Sequence, residues 1–439
     1  MNTPDRRKSF RFPILAALIL LLAPFLAGCD DSGGGPSGGD ASWSTLHSGL
    51  DRNLAPDATT EELRSLVEGN HGFTLALLQS FDAGGNLLFS PYSIRSAFAM
   101  TWAGARGETE TEMTSALLYD PDQERTHNAF NEIGLILDGR ALPASGGEDP
   151  VELHVANAFW GQTGYDYLED YLDVLAVNYG AGVELLDLNG AKESARDVIN
   201  DWVSDHTASR IEELIPEGFG TDLPLVAVLT NALYFKAPWA KPFEDDLTAD
   251  GVFHLEGGGG DVVAPMMRRE ETFGWYADDR CRAVELAYRG GGLSMVLILP
   301  EEGTLDAFVS SLDGDRLGEI LDGIDSAFVS VTLPRFSFES SFELKETLIG
   351  LGMSDPFAPG ADFSGMMAGR DIWIDEAYHK TFIAVDEKGT EAAAATAVVL
   401  VERGGAENVF TADHPFLFLI RDRETGLILF CGRVIDPAA

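Results

Sequence analysis

The chain has 439 residues, 45% of them apolar, so it is long enough to bury a large core as one large domain or two ordinary ones. Its 71 acidic residues outnumber 30 basic ones and give a formal net charge of −41. Nucleic acids and anionic membrane surfaces carry charge of the same sign, which excludes both as primary partners.

The first 29 residues have the pattern of a targeting segment. A basic start, RRK at residues 6–8, precedes an apolar stretch at residues 14–22 and the tetrad LAGC, which ends at Cys29. This tetrad resembles the lipobox of bacterial lipoproteins. The resemblance implies that Cys29 is lipidated and anchors an exported protein to a membrane, in the periplasm or at the cell surface. An ordinary secretory signal with an incidental cysteine is the alternative.

Residues 30–58 are predicted to be a flexible tether, because SGGGPSGG at residues 32–39 cannot bury apolar area. The folded domain is predicted over residues 59–439. Two cysteines, Cys281 and Cys431, remain in it. Cys431 follows the apolar run LILF, which favours a buried thiol; a disulfide between the two cysteines is the alternative.

The stretch NLLFSPYSI, residues 86–94, predicts a helix start. Ser90 is a good N-cap, and Pro91 suits the first helical position. Ser90 and Ser93 therefore have an ordinary role in capping and core packing.

Helical and strand patterns alternate through the rest of the domain. Helices are predicted at residues 123–140 and 165–179 and around residues 199–203. Strands are predicted at residues 151–160, 183–188, 223–235, 253–256, 293–299, 328–333, 372–387, 415–421 and 427–435. The helix at 123–140 carries only Arg125, His127 and Arg140 as basic side chains.

Two polar residues lie within the apolar strands. Asn231 interrupts the run at residues 223–235, which reads as a strand buried on both faces, and a buried amide needs hydrogen-bond partners. His379 in YHK is interpreted as a satisfied core residue that holds strands together. No P-loop, paired-histidine zinc motif or GxSxG elbow occurs, and three cysteines make no ligand set. Neither an enzyme, a metal site nor a cofactor is predicted.

The segment from Asp386 to Pro415 reads DEKGTEAAAATAVVLVERGGAENVFTADHP. Its side chains from Ala392 to Ala397 are small and uncharged. Such a segment can enter between two existing strands without steric clashes, which is what a loop that becomes a strand requires.

DEKGTEAAAAT resembles the hinge of the serpins, and HPFLF after it resembles the strand that follows their reactive loop. NLLFSPYSI, LTNALYFKAPWAKPF, YHK, PRF, LGM and DFSG, found in the family's order, are also similar to serpin motifs. The resemblance covers roughly residues 60 to 437. It implies an α+β fold of eight to nine helices packed on three β-sheets, with an exposed reactive-centre loop at residues 387–414.

The resemblance also implies roles for particular residues. The hinge residues are Glu387, Gly389, Thr390, Glu391, Ala392, Ala393, Ala394 and Ala395. The residues that control sheet opening are Ser90, Ser93, Asn231 and His379, with Trp239 beneath the point where insertion starts. The implied function is suicide-type inhibition of a serine protease, which forms a covalent acyl complex with a monomeric inhibitor. Heparin-activated serpins use a basic surface at the helix that corresponds to residues 123–140, so the few basic side chains there argue against a heparin-like polyanion as cofactor.

Arg403 lies sixteen residues after Glu387, where inhibitory relatives usually carry the residue before the scissile bond. It is also the only basic residue between Lys388 and Arg421, which suits a trypsin-like pocket and predicts cleavage at Arg403–Gly404. Cleavage after Glu402 or Gly404 is an alternative, and so is an arginine-preferring cysteine protease as target. A non-inhibitory carrier or chaperone and a structural surface lipoprotein are the other function classes, and the small hinge residues argue against both.

Overall fold

The computed structural model describes residues 43–81, 84–145, 149–220, 227–367, 369, 372–390 and 406–439. The predicted signal segment with Cys29 and residues 30–42 of the predicted tether lie outside the described residues. So do residues 391–405, which include Glu391, Ala392 to Ala395, Arg403 and Gly404.

The described ranges contain nine α-helices, as the α+β prediction requires. They are α1 (Thr60–Ser80), α2 (Pro91–Trp102), α3 (Gly107–Ala116), α4 (Gln123–Asp138), α5 (Glu169–Tyr179), α6 (Lys192–His206), α7 (Leu305–Ser311), α8 (Gly314–Asp322) and α9 (Lys345–Gly350). Local chemistry explains where α2 begins. Ser90 Oγ accepts the backbone N–H of Ser93 at 3.1 Å, and Pro91 occupies the first turn, where no N–H is needed.

Sixteen strands occur in the same ranges. They are β1 (Ser44–Leu46), β2 (Leu87–Phe89), β3 (Glu152–Gln162), β4 (Val183–Leu186), β5 (Ala227–Pro238), β6 (Ala249–His254), β7 (Asp261–Ala277), β8 (Cys281–Ala287), β9 (Leu293–Pro300), β10 (Asp325–Pro334), β11 (Phe336–Glu343), β12 (Ala377–Val385), β13 (Gly389–Thr390), β14 (Asn408–Thr411), β15 (Phe416–Asp422) and β16 (Ile428–Val434).

The strands form two hydrogen-bonded sheets. The first has seven strands in the order β1-β4-β3-β5-β13-β12-β11. The second has nine, in the order β14-β10-β7-β8-β9-β15-β16-β2, with β6 also paired to β7. Two of the three predicted sheets are continuous here, because the 17-residue strand β7 pairs with β6 along its first part and with β8 at its end.

The core lies between the sheets and beneath the helices. All twelve residues of α2 are buried, since this helix packs against β3 and β5 of the first sheet and β16 of the second. On the other face of the first sheet, α6 buries Ile199 and Val203 against Trp160 of β3. Burying such side chains contributes roughly 1.5–3 kcal/mol each.

The folded domain begins before residue 59, which corrects the predicted extent of the tether. Strand β1 pairs with the edge strand β4, and the backbone N–H of Asn53 donates to the carbonyl of Val177 at 2.9 Å. Arg52 Nε also donates to Asn131 Oδ1 at 2.9 Å. Composition alone predicted a flexible coil for this segment. It could not show the hydrogen-bond partners, because they belong to residues far away in the sequence.

Cys281 and Cys431 are both buried free thiols, so the disulfide alternative is wrong. Burial raises the pKa of the Cys281 thiol to about 11, which keeps it protonated at neutral pH. Among the described residues, no helix is both long enough and apolar enough to cross a bilayer.

Candidate functional site

The site is the seam between β5 and β12, two strands of the seven-stranded sheet that run parallel. At its lower end the strands pair directly, from Ala377 opposite Leu229 to Thr381 opposite Leu233. At its upper end β13 lies between them, and it pairs antiparallel with both. The seam is therefore closed at one end and already parted at the other.

A tight turn leads from β12 into β13 at the upper end. Asp386 Oδ1 accepts the backbone N–H groups of Lys388 at 2.8 Å and Gly389 at 3.2 Å. Burial raises the pKa of Asp386, although these hydrogen bonds oppose the shift. A Cβ atom at Gly389 would collide with the backbone of Ala237 and Pro238, so only glycine fits this approach to β5.

Thr390 and two aromatic side chains fasten β13 in place. The hydroxyls of buried Thr390 and Tyr288 are hydrogen-bonded at 2.7 Å. The Tyr288 ring stacks on Trp239, with the ring centroids 4.6 Å apart. Trp239 in turn donates its indole N–H to the carbonyl of Asp386 at 3.0 Å and its backbone N–H to the carbonyl of Lys388 at 2.7 Å.

Glu387 ties the turn to the neighbouring sheet. Its side chain is only 4% exposed, and its two carboxylate oxygens accept the Nε–H of Arg335 at 2.8 and 2.7 Å. Thr248 donates its hydroxyl at 2.5 Å. Burial acts to raise the pKa of Glu387, but the hydrogen bonds from Arg335 and Thr248 outweigh it and lower the pKa, so the carboxylate is charged at neutral pH.

The lower end of the seam is held by five buried or partly buried polar residues, here called the shutter network: Ser90, Ser93, Asn157, Asn231 and His379. The backbone N–H of Ser90 donates to His379 Nε2 at 3.0 Å, so Nδ1 carries the proton and donates to Asn231 Oδ1. The Asn231 amide donates to Ser93 Oγ at 2.6 Å and to Asn157 Oδ1 at 2.7 Å. Ser93 Oγ also donates to Asn157 Oδ1 at 3.0 Å.

This network joins strands on both sides of the closed seam to helix α2. His379 is on β12, Asn231 is opposite it on β5, and Asn157 is opposite Asn231 on β3. Burial lowers the pKa of His379 to about 3, so the imidazole is neutral. Both ring nitrogens of His379 and the hydroxyls of Ser90 and Ser93 are engaged in hydrogen bonds within the protein, an arrangement that can lock two strands together.

The structure brings together all the predicted site residues that it describes. Ser90, Ser93, Asn231 and His379 lie at the lower end, and Glu387, Gly389, Thr390 and Trp239 lie at the upper end. One correction is needed: the loop predicted to be exposed over residues 387–414 is not exposed throughout, since Gly389 and Thr390 at one described end and Phe410 at the other are buried. Gly389–Thr390 form β13 and Asn408–Thr411 form β14, because both segments find backbone partners in the sheets.

Four residues of the site were not predicted from the sequence: Thr248, Asn157, Tyr288 and Arg335. The sequence did contain a signal for Asn157, because this residue is an amide within the apolar strand VELHVANAFW, as Asn231 is in its own strand. The other three lie just outside strand ends, and only the fold places those strand ends beside the hinge. Within the described ranges, no group of three His, Cys, Asp or Glu side chains is placed to hold a metal ion.

Comparison with known proteins agrees with this geometry. The family model described as "Serpin (serine protease inhibitor)" matches residues 68–437. The leukocyte elastase inhibitor of Bos taurus is 37% identical over 387 residues, which cover 85% of this chain and 100% of the relative.

Two solved structures are similar over most of their length. The native thermophilic serpin tengpin has a TM-score of 0.77 at 27% identity, over 90% of this chain and 99% of that one. Human thyroxine-binding globulin, in complex with its ligand, has a TM-score of 0.76 at 27% identity, over 86% of this chain and 100% of that one. The chain therefore belongs to the serpin family, and the α+β serpin fold predicted from its sequence is confirmed.

Proposed function

We propose that the protein is a suicide-type inhibitor of serine endopeptidases with trypsin-like specificity. The observation that carries the proposal is β13, a two-residue strand that already lies between β5 and β12 at the start of the reactive loop. Directly below it the same two strands pair without an intervening strand. Insertion of the loop after cleavage would therefore extend β13 along the seam.

The chemistry begins as ordinary proteolysis. The protease's serine hydroxyl attacks the carbonyl carbon of Arg403, the bond to Gly404 breaks, and the new amino group of Gly404 takes the proton. An ester then joins Arg403 to the protease. If the freed segment inserts before water cleaves that ester, the protease is carried along and its active site is distorted.

The energetics favour insertion once the loop is cut. About fifteen residues at ~3.3 Å each span on the order of 50 Å, enough to cross a domain. If each new ladder hydrogen bond contributes ~1 kcal/mol, the new strand gains on the order of 10 kcal/mol. Only five residue pairs of the direct β5–β12 ladder must separate to admit it. The uncut form is accordingly metastable and persists because of a kinetic barrier.

Incubation of the purified chain with trypsin tests this function. We expect a complex that survives denaturing electrophoresis, together with a released peptide whose mass shows that it begins at Gly404. The variant Arg403→Gln should lose the complex, whereas the control Arg268→Gln, at an exposed arginine of β7, should retain it. A peptide beginning at Arg403 or Gly405 would move the scissile bond to Glu402 or Gly404.

Clean cleavage without a complex would contradict trypsin-like inhibition. It would support the second candidate, a non-inhibitory carrier, for which similarity to thyroxine-binding globulin is the supporting observation. A complex that forms only with an arginine-preferring cysteine protease, through a thioester, would change the target class and leave the insertion mechanism in place.

We further propose that Cys29 carries acyl chains that anchor the protein to a bacterial membrane, on the strength of the LAGC tetrad. Expression in a bacterial host supplied with labelled palmitate should label the wild-type chain, and Cys29→Ser should abolish the label. An unlabelled wild-type chain released as a secreted protein would contradict the anchor.

A further inference from the structure

Residues Trp43–Asp57, here called the N-terminal arm, lie against one edge of the seven-stranded sheet. Strand β1 pairs with β4 as the outermost strand, and Thr45 Oγ1 donates to the carboxylate of Glu184 on β4 at 2.7 Å. Further along the arm, the Ser48 hydroxyl donates to Asp173 on α5. The arm therefore has specific polar contacts with the sheet edge and the adjacent helix.

Arg52 fastens the same arm to a different element, helix α4. Its Nε donates to the side-chain carbonyl of Asn131 at 2.9 Å, and another guanidinium nitrogen lies 3.2 Å from the carboxylate of Asp138. The amide of Asn131, which is fully buried, donates back to the carbonyl of Asn53 at 2.8 Å. Charge-assisted and buried hydrogen bonds of this kind are among the stronger ones in proteins.

The arm is attached at two places, strand β4 and helix α4, which belong to parts of the molecule that move relative to each other when the seam opens. Separation of β5 from β12 displaces β5 together with the strands beyond it, which are β3, β4 and β1. Helix α4 packs on α1, and α1 packs on β16 of the second sheet. Helix α4 also packs on α5, but its contact with α1 ties it to the second sheet, so opening the seam displaces β4 relative to α4, and the arm spans the two.

A cavity of about 150 Å³ lies where this relative motion takes place. Arg52 and Asp138 line it on one side, and Val155 and Asn157 of β3 line it on another. Close packing resists displacement, and a void of this size removes part of the packing between β3 and α4. Asn157 also belongs to the shutter network, so the cavity reaches the lock at the lower end of the seam.

We propose that the N-terminal arm is a brace that resists opening of the seam, with Arg52 as its main positioning residue. The hydrogen bonds of the arm compensate for the packing contacts that are missing at the cavity. The arm thereby slows the entry of any strand between β5 and β12. The inference rests on the proposed function, because seam opening matters to this protein only if a strand inserts there.

Uptake of a synthetic peptide with the sequence of residues 390–401, TEAAAATAVVLV, tests the brace without a protease. The full-length wild type, Arg52→Ala and Arg125→Ala are incubated with the peptide, and the rate of uptake is followed by native electrophoresis and mass spectrometry. Arg125 is the matched control, since it is also an arginine at α4 but forms its ion pairs with Asp122 and Glu62, away from the arm.

We expect Arg52→Ala to take up the peptide about tenfold faster than the wild type, which corresponds to about 1.4 kcal/mol. Arg125→Ala should match the wild type. Equal rates in all three proteins would overturn the brace alone. Failure of all three to take up peptide would overturn strand insertion, and with it both the brace and the proposed function.

A reversible cross-link covers the case in which Arg52→Ala fails to fold. Thr45 and Glu184 are direct partners across β1 and β4, so Thr45→Cys with Glu184→Cys places two thiols on facing positions. The oxidised protein should take up peptide more slowly than the same protein after reduction. Equal rates in the two redox states would overturn the brace.

Discussion

The two ends of the β5–β12 seam differ in how they are held, and the difference assigns them different tasks. At the upper end the strands are parted by β13, and the fastening consists of backbone hydrogen bonds, one stacked aromatic pair and the pair of Glu387 with the half-exposed Arg335. At the lower end the strands are in direct contact, and the fastening is the shutter network, in which His379 and Asn231 are buried.

Insertion can therefore begin at the upper end at little cost, because space for Thr390 already exists. The barrier belongs to the lower end, where a new strand must break both the ladder and the buried network. A restraint that acts on the lower end should change the rate of insertion, and a change at the upper end should decide whether insertion starts at all.

The largest expected effect breaks the upper end. Thr390→Arg puts a long cation where Thr390 is 2% exposed and bonded to Tyr288, so β13 cannot form with this side chain. We expect the chain to become a substrate, with the number of inhibitor molecules consumed per trypsin molecule raised at least about tenfold.

Titration of trypsin with the variant measures this number. Thr111→Arg, on the exposed face of α3, is the control that adds the same charge away from the seam. Unchanged inhibition by Thr390→Arg would contradict the insertion mechanism.

The next effect breaks the lower end. His379→Ala leaves the Ser90 N–H and the Asn231 carbonyl oxygen without their partner in a buried site. The free energy of unfolding should fall by about 2–4 kcal/mol, as measured by urea denaturation. The same variant should take up the loop peptide faster than wild type; a variant that loses stability without faster uptake would show that the network stabilises the fold but does not gate the seam.

Acid should weaken the lower end. Burial lowers the pKa of His379 from its ordinary value of 6.5 to about 3, so between these pH values the unfolded chain binds more protons than the folded one. The contribution of His379 to the free energy of unfolding is then constant above about pH 6.5 and decreases as the pH falls below it, by on the order of 2 kcal/mol at pH 5.

Urea denaturation at pH 7.5 and pH 5 checks the acid effect. Burial also lowers the pKa of His127 to about 3 and lowers the pKa of His71, so His379→Gln should reduce the pH dependence without abolishing it. An unchanged pH dependence in His379→Gln would assign the acid sensitivity to other groups.

A smaller effect sharpens the upper end. Glu387→Gln keeps the shape of the side chain but removes the charge that pairs with Arg335, a residue 45% exposed. Because solvent screens a half-exposed pair, we expect a loss of only about 1 kcal/mol in the free energy of unfolding. Glu407→Gln, at an exposed glutamate on the other side of the loop, should have no effect. Equal stabilities of the two variants would show that the ion pair does not hold the turn.

An effect of similar size concerns one hydroxyl. Tyr288→Phe removes the hydrogen bond to Thr390 and keeps the ring that stacks on Trp239, so the free energy of unfolding should fall by about 0.5–1.5 kcal/mol. Tyr171→Phe is a matched control, because that buried hydroxyl has no hydrogen-bond partner among the described residues. Its removal should leave thermal stability unchanged or raise it.

Much of the local structure could be predicted from the sequence because its causes are local. The start of α2 follows from Ser90 and Pro91, and β5, β9, β15 and β16 follow from long apolar runs. The long strand β7 was missed, since residues such as RREE at 268–271 give it no clear strand pattern. Its pairing with β10 on one side stabilises a segment whose own residues would not predict a strand.

By itself the sequence determined which residues can form the site: a hinge with small side chains, and an asparagine and a histidine placed where burial demands partners. Only the tertiary structure decided that β13 is already seated, that Tyr288, Arg335 and Asn157 complete the two ends of the seam, and that residues 43–58 join the domain. Each of these depends on contacts between residues far apart in the chain. Such contacts arise from the packing of the two sheets and the helices, and no local pattern records them.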